Sequence, residues 1–134
     1  MQVQRLQPKG LNVRVVDGRT LYSHVVVASG GKQIFISGQL SRDADGKIVG
    51  RGDMRAQIEQ VGKNLLACLQ AAGAQLTDLV KTTTYVTDID EFFKHADVRA
   101  QYFGLALPTS TTVEVRRLSS PDFLVEVEAI AMIA

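Results

Sequence analysis

Two carboxylates, Glu126 and Glu128, stand two positions apart in an otherwise apolar stretch, Leu124–Ala131. The alternation of apolar and polar residues predicts a β-strand, and the strand period of two places both carboxylates on one face. Carboxylates this close raise each other's pKa, and burial raises it further. A glutamate with a raised pKa suits proton transfer, so the pair is a candidate catalytic site. The structural alternative, which the residues alone favour, is an ion pair with Arg116 or Arg117.

The remaining reactive side chains form no recognised catalytic pattern. The sequence has no Gly-rich phosphate loop, metal-ligand cluster or nucleophile elbow, so neither a metal nor another cofactor is expected. His24 and His95 are far apart in the chain, and a surface or capping role explains each of them best. Cys68 lies on the apolar stripe of a predicted helix, where a buried, unreactive thiol is expected.

Size and charge indicate one domain, residues 1–134, without a strongly charged partner. The chain has 15 Lys and Arg against 14 Asp and Glu, so electrostatics gives no reason to expect nucleic acid or an anionic membrane as a partner. Neither a signal-peptide pattern nor a membrane-spanning apolar run is present. The single cysteine suits a reducing compartment, and a cytoplasmic protein is therefore expected.

The hydrophobic pattern predicts strands, a helix, a strand, a second helix and further strands, in that order. Strands are predicted at about residues 2–6, 21–28, 33–37, 80–87, 108–115 and 124–131. The second and third of these are expected to pair as a hairpin, and the last two are expected to form a hairpin or closely connected strands, because turn-forming residues separate each pair.

Helix signals are clearest after Asp53, a predicted N-cap, and before Gly73, a predicted stop. A second helical segment is predicted from about Glu91 to Phe103, with a possible break near its middle. Two helices on one face of a mixed sheet make an α+β layer. The other sheet face then has no cover within the chain, so self-association is expected.

Several segments resemble the YjgF/RidA family, also described as L-PSP endoribonuclease-like. These segments are Tyr22–Val26, Ile36–Gln39, Asp78–Val86, Val113–Val115 and Val125–Ala131. The resemblance implies a chorismate-mutase-like α+β fold assembled as a homotrimer, with sheets lining a central barrel and a ligand cleft between neighbouring subunits. It also implies hydrolysis of reactive enamines and imines, such as 2-iminopropanoate, to 2-oxo acids and ammonia.

The resemblance also implies roles for individual residues. Glu126 and Tyr22 are expected to be catalytic, and Ser37, Gly38, Ser110 and Thr112 are expected to bind the substrate. In the family, the glutamate positions or activates water, and an arginine holds the substrate carboxylate through two hydrogen bonds. This chain has Ser110 at the arginine position and Thr112 at the position of a common cysteine.

Ser110, at the position of the family's arginine, indicates a substrate other than the standard one. Each charge-assisted hydrogen bond from an arginine contributes roughly 1.5–3 kcal/mol, whereas a hydroxyl offers one neutral donor. The predicted function is therefore deamination of an imine, enamine or related small metabolite other than 2-iminopropanoate. The alternative is a non-catalytic, ligand-binding or regulatory trimer. Endoribonuclease activity has less support, because no basic patch or histidine pair is present.

Overall fold

The computed structural model describes residues 1–134, which form an α+β fold. The strands are β1 (Gln2–Leu6), β2 (Val15–Val16), β3 (Arg19–Thr20), β4 (Val25–Ser29), β5 (Lys32–Gln39), β6 (Leu79–Val86), β7 (Thr109–Glu114) and β8 (Val125–Ile133). The helices are α1 (Met54–Ala71), α2 (Ile89–Phe93) and α3 (Ala96–Arg99), with a 3₁₀ turn at Leu76–Asp78 and a π-helical turn at Ala100–Gly104.

The main sheet is mixed and has the strand order β5-β8-β6-β7. Strand β7 runs parallel to β6, while β8 is antiparallel to both β5 and β6. Two separate antiparallel pairs, β1 with β4 and β2 with β3, complete the strands. The mixed α+β architecture predicted from the sequence is confirmed.

Helix α1 begins and ends at the predicted signals. The Asp53 carboxylate accepts a hydrogen bond from the Ala56 backbone N–H at 3.1 Å, and Gly73 follows the C-cap with φ +76°. A left-handed residue at this place lets the last turn close its hydrogen bonds. One stripe of α1, including Ile58 and Leu65, is fully buried against the sheet. None of the helices is both long and apolar enough to cross a membrane.

The second predicted helical segment is divided into α2, α3 and the π-helical turn, so the expected break is confirmed. An ion pair with two hydrogen bonds ties α3 to α1: Arg55 donates to the two carboxylate oxygens of Asp97 at 2.9 and 2.6 Å. This contact holds the pKa of Asp97 well below its ordinary value. The π-helical turn packs Tyr102 so close to α1 that a Cβ at Gly62 would lie 2.2 Å from its ring.

The two faces of the main sheet have different environments. Val125, Val127, Ala129 and Ala131 of β8 are buried in the hydrophobic core beneath the helices. The alternate positions form a second face, which we call the open face: Phe35, Ser37, Lys81, Thr83, Tyr85, Glu126, Glu128 and Ile130. Phe35 is 70% exposed there. The helices thus cover one face only, as predicted.

Both predicted hairpins are wrong. β4 pairs with β1 rather than with β5. β6 lies between β7 and β8 in the sheet. After β6 the chain forms α2 and α3 and returns as β7, which runs parallel to β6 at the edge of the sheet. Local turn residues could not reveal this arrangement, since it depends on which strand occupies the centre of the sheet.

The strand predicted at residues 21–28 begins only at Val25. Just before it, Ser23 is tied to the start of β7: its backbone N–H donates to Pro108 O at 3.0 Å, and its hydroxyl donates to Leu107 O at 2.7 Å. With Leu21 and Ser23 both buried, the intervening Tyr22 is placed beside β7.

Candidate functional site

Glu126 lies on the open face of β8, opposite Tyr85 of β6 in the strand register. Its carboxylate forms no hydrogen bond or ion pair within the chain. Partial burial raises the pKa of Glu126, and the neighbouring Glu128 raises it further. These two causes are the ones expected from the sequence, and they make Glu126 a better proton acceptor and donor near neutral pH than an ordinary glutamate.

Glu128 is held by a tyrosine rather than by an arginine. The Tyr85 hydroxyl donates to Glu128 Oε1 at 2.9 Å, and this bond raises the pKa of the tyrosine. The predicted ion pair with Arg116 or Arg117 is absent. β7 ends at Glu114, so both arginines lie in an exposed loop instead of on the strand, and Arg117 donates to the backbone oxygen of Leu118.

Ser37 and Gly38 lie on β5 where its register with β8 shifts, between Ile36 and Gln39. Gly38 approaches the candidate acid–base residue directly, because a Cβ built on it would lie 2.1 Å from Glu126 Oε2. Only a residue without a side chain leaves the carboxylate in its present place. Ser37 is exposed on the same face and lines a groove of about 320 Å³ with Phe35 and Glu128.

The substitution Gly38→Ala is expected to displace the Glu126 carboxylate and to leave the fold intact. The overlapping atoms are the end of a flexible side chain, which can move aside. Misplacing a catalytic group by about 1 Å costs up to roughly 10²-fold in rate. We therefore expect a drop in kcat of about ten- to a hundredfold with an unchanged melting temperature. A variant of full activity would show that the position of Glu126 is unimportant.

A cavity of about 230 Å³ lies beside β7, on the helix side of the sheet. It is lined by Arg14, Val16, Leu21, Tyr22, Phe93, Arg99, Ser110 and Thr112. Three of the predicted site residues, Tyr22, Ser110 and Thr112, are therefore brought together. The aromatic and apolar walls with a few polar groups are typical of a small-molecule site.

Local contacts orient Tyr22 in this cavity. Its hydroxyl accepts a hydrogen bond from the Arg14 backbone N–H at 2.9 Å. Its ring packs edge-to-face against His24, with the centroids 5.4 Å apart, and His24 in turn bonds to Asn12 O through Nε2 at 2.7 Å. The loop before β2 and the segment before β4 thus hold the phenol from two sides.

Arg14 and Arg99 also line the cavity, and no sequence pattern indicated either of them directly. Arg14 lies 85 positions before Arg99 in the chain, and neither belongs to a motif. Ser110 was an indirect signal. Because the family uses an arginine in this cleft and this chain lacks it at position 110, the sequence favours an arginine from another position. Arg116 and Arg117, which the sequence suggested as ion-pair partners of the glutamates, are not among the lining residues.

The predicted site residues fall into two groups on opposite faces of the sheet. Ser110 and Thr112 are in register with Thr82 and Thr84, which are buried on the helix side. Glu126 points to the open face with Ser37 and Gly38. No hydrogen bond joins the two groups, so one copy of the chain does not bring Glu126 to the cavity that contains Tyr22.

Comparison with known proteins agrees with this fold. The family model described as Endoribonuclease L-PSP matches residues 14–133. The chain belongs to the YjgF/RidA family. The crystal structure of a Rid family protein from Yersinia pestis, YyfB, superposes with a TM-score of 0.84 at 29% identity and covers 99% of this chain and 100% of its own.

Curated relatives of the family include named deaminases. A RutC family protein of Pyrococcus horikoshii is 42% identical over 82% of this chain and 85% of its own length. The 2-iminobutanoate/2-iminopropanoate deaminase of Bos taurus is 37% identical over 83% of this chain and 79% of its own. The chain is thus similar, over most of its length, to a protein named as a deaminase of 2-iminobutanoate and 2-iminopropanoate.

Proposed function

We propose that this protein is a hydrolase that deaminates a reactive imine or enamine, giving a carbonyl product and ammonia. The observation that supports this most is the state of Glu126, whose carboxyl has a raised pKa and no hydrogen-bond partner within the chain. Gly38 leaves room for this carboxylate, because a side chain at position 38 would overlap it. The name of the Bos taurus relative supports the same reaction class. Because Ser110 stands where the family has its arginine, the substrate is expected to differ from 2-iminopropanoate.

The residues suit the steps of such a hydrolysis. Water adds to the carbon of the protonated imine as Glu126 accepts one of its protons, which yields a neutral carbinolamine. Glu126 then returns that proton to the nitrogen. The C–N bond breaks as Glu126 accepts the hydroxyl proton, so ammonia leaves and the carbonyl forms, and Glu126 finally passes this proton to ammonia or solvent. A carboxyl whose pKa lies above the ordinary value is suited to these transfers. Tyr22, Ser110 and Thr112 would orient the substrate.

A complete site requires a second copy of the chain, and we propose a homotrimer in which it forms. The open face carries Phe35, 70% exposed, beside the half-buried Ile130. An apolar sheet surface of this kind is normally covered by a partner. In the proposed trimer, the open face of one copy brings Glu126 to the cavity of its neighbour.

Hydrolysis of 2-imino acids provides the test. An amino-acid oxidase generates the imino acids in situ, and semicarbazide traps whatever remains unhydrolysed. The native protein is expected to lower the amount of trapped imine, and Ser110→Arg is expected to shift its preference toward the imines of small monocarboxylic amino acids. If neither protein hydrolyses any imine while small acids still raise the melting temperature, the chain is a ligand-binding protein.

A further inference from the structure

The cavity contains two positive charges and no negative one. Arg14 and Arg99 line it, and no Asp or Glu does so. Neither guanidinium forms an ion pair or donates a hydrogen bond within the chain. Elsewhere, Arg51 and Arg55 each pair with a carboxylate. Both guanidiniums face the same open cavity, and the half-buried Arg99 has lost water there without gaining a countercharge, which costs free energy.

Aromatic rings and a neighbouring helix hold both arginines in place. The Arg14 guanidinium carbon lies 4.3 Å from the centre of the Phe93 ring. That of Arg99 lies 5.5 Å from the ring of Phe92 and 5.6 Å from that of Phe93. Cation–π contacts of this kind fix a guanidinium without neutralising its charge, so its five donors remain available.

The two charges are close enough to act on each other. Burial lowers the pKa of Arg99, and the positive charge of Arg14 lowers it further. An anion between the two groups would relieve this repulsion and would replace the water that burial has removed from Arg99. A single carboxylate would leave one positive charge uncompensated, whereas two acidic groups would balance both.

We propose that Arg14 and Arg99 form an anion subsite that binds two acidic groups of the substrate, which is then an imine or enamine of a 2-oxo dicarboxylic acid. The inference rests on the proposed function, because it names the substrate class of the same cavity. Arg99 binds one carboxylate inside the cavity, and the more exposed Arg14 binds the second at its rim. Ser110 leaves the space that a third guanidinium would occupy.

Binding of 2-oxo acids, the products of the reaction, tests the subsite by isothermal titration. The native protein is expected to bind 2-oxoglutarate at least about tenfold more tightly than 2-oxobutanoate, and increasing salt should weaken this preference. Arg99→Met and Arg14→Met are each expected to raise the Kd for 2-oxoglutarate about tenfold or more. Arg116→Met, at an exposed position outside the cavity, is the matched control and should leave Kd unchanged.

Several results would overturn the proposal: no binding of 2-oxoglutarate, equal affinity for the two oxo acids, binding that survives both arginine substitutions, or binding of inorganic phosphate alone. The imine-hydrolysis assay separates this failure from failure of the proposed function. If the protein hydrolyses imines of monocarboxylic acids regardless of Arg14 and Arg99, the reaction stands and the subsite does not. If 2-oxoglutarate binds through both arginines without any hydrolysis, the subsite stands and the reaction does not.

Discussion

Replacement of Glu126 by Gln is expected to slow imine hydrolysis about 10²–10⁴-fold, the usual contribution of a general acid–base group. The amide keeps the shape of the side chain and its place beside Gly38 but cannot accept a proton from water. Binding of oxo acids should persist, because Arg14 and Arg99, the residues proposed to hold their carboxylates, are unchanged. The loss should therefore appear in kcat, measured by semicarbazide trapping. Full activity of Glu126→Gln would refute the proposed role.

Glu128→Gln, at the neighbouring carboxylate, is the matched control and is expected to change the pH dependence of the activity. Its negative charge contributes to the raised pKa of Glu126, so its removal lowers that pKa toward the ordinary value. A base works only when deprotonated, and activity rises with pH through its pKa. The rising limb of the pH–rate profile should therefore move to lower pH in Glu128→Gln. A shift to higher pH would contradict the electrostatic coupling of the two carboxylates.

Substitution of Gln57 by Leu is expected to be the most destabilising of the changes considered. Gln57 is fully buried in α1, where its amide nitrogen donates to Gly50 O at 3.0 Å and to Asp122 O at 2.9 Å. Its amide oxygen accepts from the Leu124 backbone N–H at 2.8 Å. These bonds fix the chain just before β8, the strand that carries Glu126.

Leucine has a similar volume but leaves three backbone groups without partners. Each buried unsatisfied group costs about 1–3 kcal/mol, so the free energy of unfolding should fall by roughly 3 kcal/mol or more. Urea denaturation measures this change. Gln70→Leu, an exposed position on the same helix, should alter stability by no more than about 0.5 kcal/mol. Equal effects of the two substitutions would show that the buried hydrogen bonds are unimportant.

Several features that depend on local sequence were predicted correctly. Helix α1 was recognisable from the Asp53 cap, its apolar stripe and Gly73. The common face of Glu126 and Glu128 followed from the strand period, and the causes of the raised pKa of Glu126 followed from that placement. Each of these features is determined by residues within a few positions of one another, so the sequence carries the information directly.

Features that depend on distant segments could not be predicted. The pairing of β4 with β1 and the insertion of β6 between β7 and β8 both depend on distant segments, and each made one hairpin prediction wrong. For the same reason, the sequence did not show that Arg14 and Arg99 line one cavity, or that the candidate site residues lie on two faces of the sheet. The resemblance to the family indicated the candidate site residues, but only the structure shows which of them lie together in one copy.

Mixed oligomers test the central claim, a shared site that hydrolyses imines, most directly. Glu126→Gln lacks the proton acceptor, and Ser110→Trp fills the cavity with an indole while retaining Glu126. Each variant alone should be inactive. In trimers reassembled from equal amounts of both, about a quarter of the interfaces pair an open cavity with an intact Glu126, given random association. Recovery of about a quarter of native activity is expected. The control is Glu126→Gln mixed with the variant that carries both substitutions, and this mixture should stay inactive. Absence of recovery, with mixed trimers verified by mass, would contradict a site shared between copies.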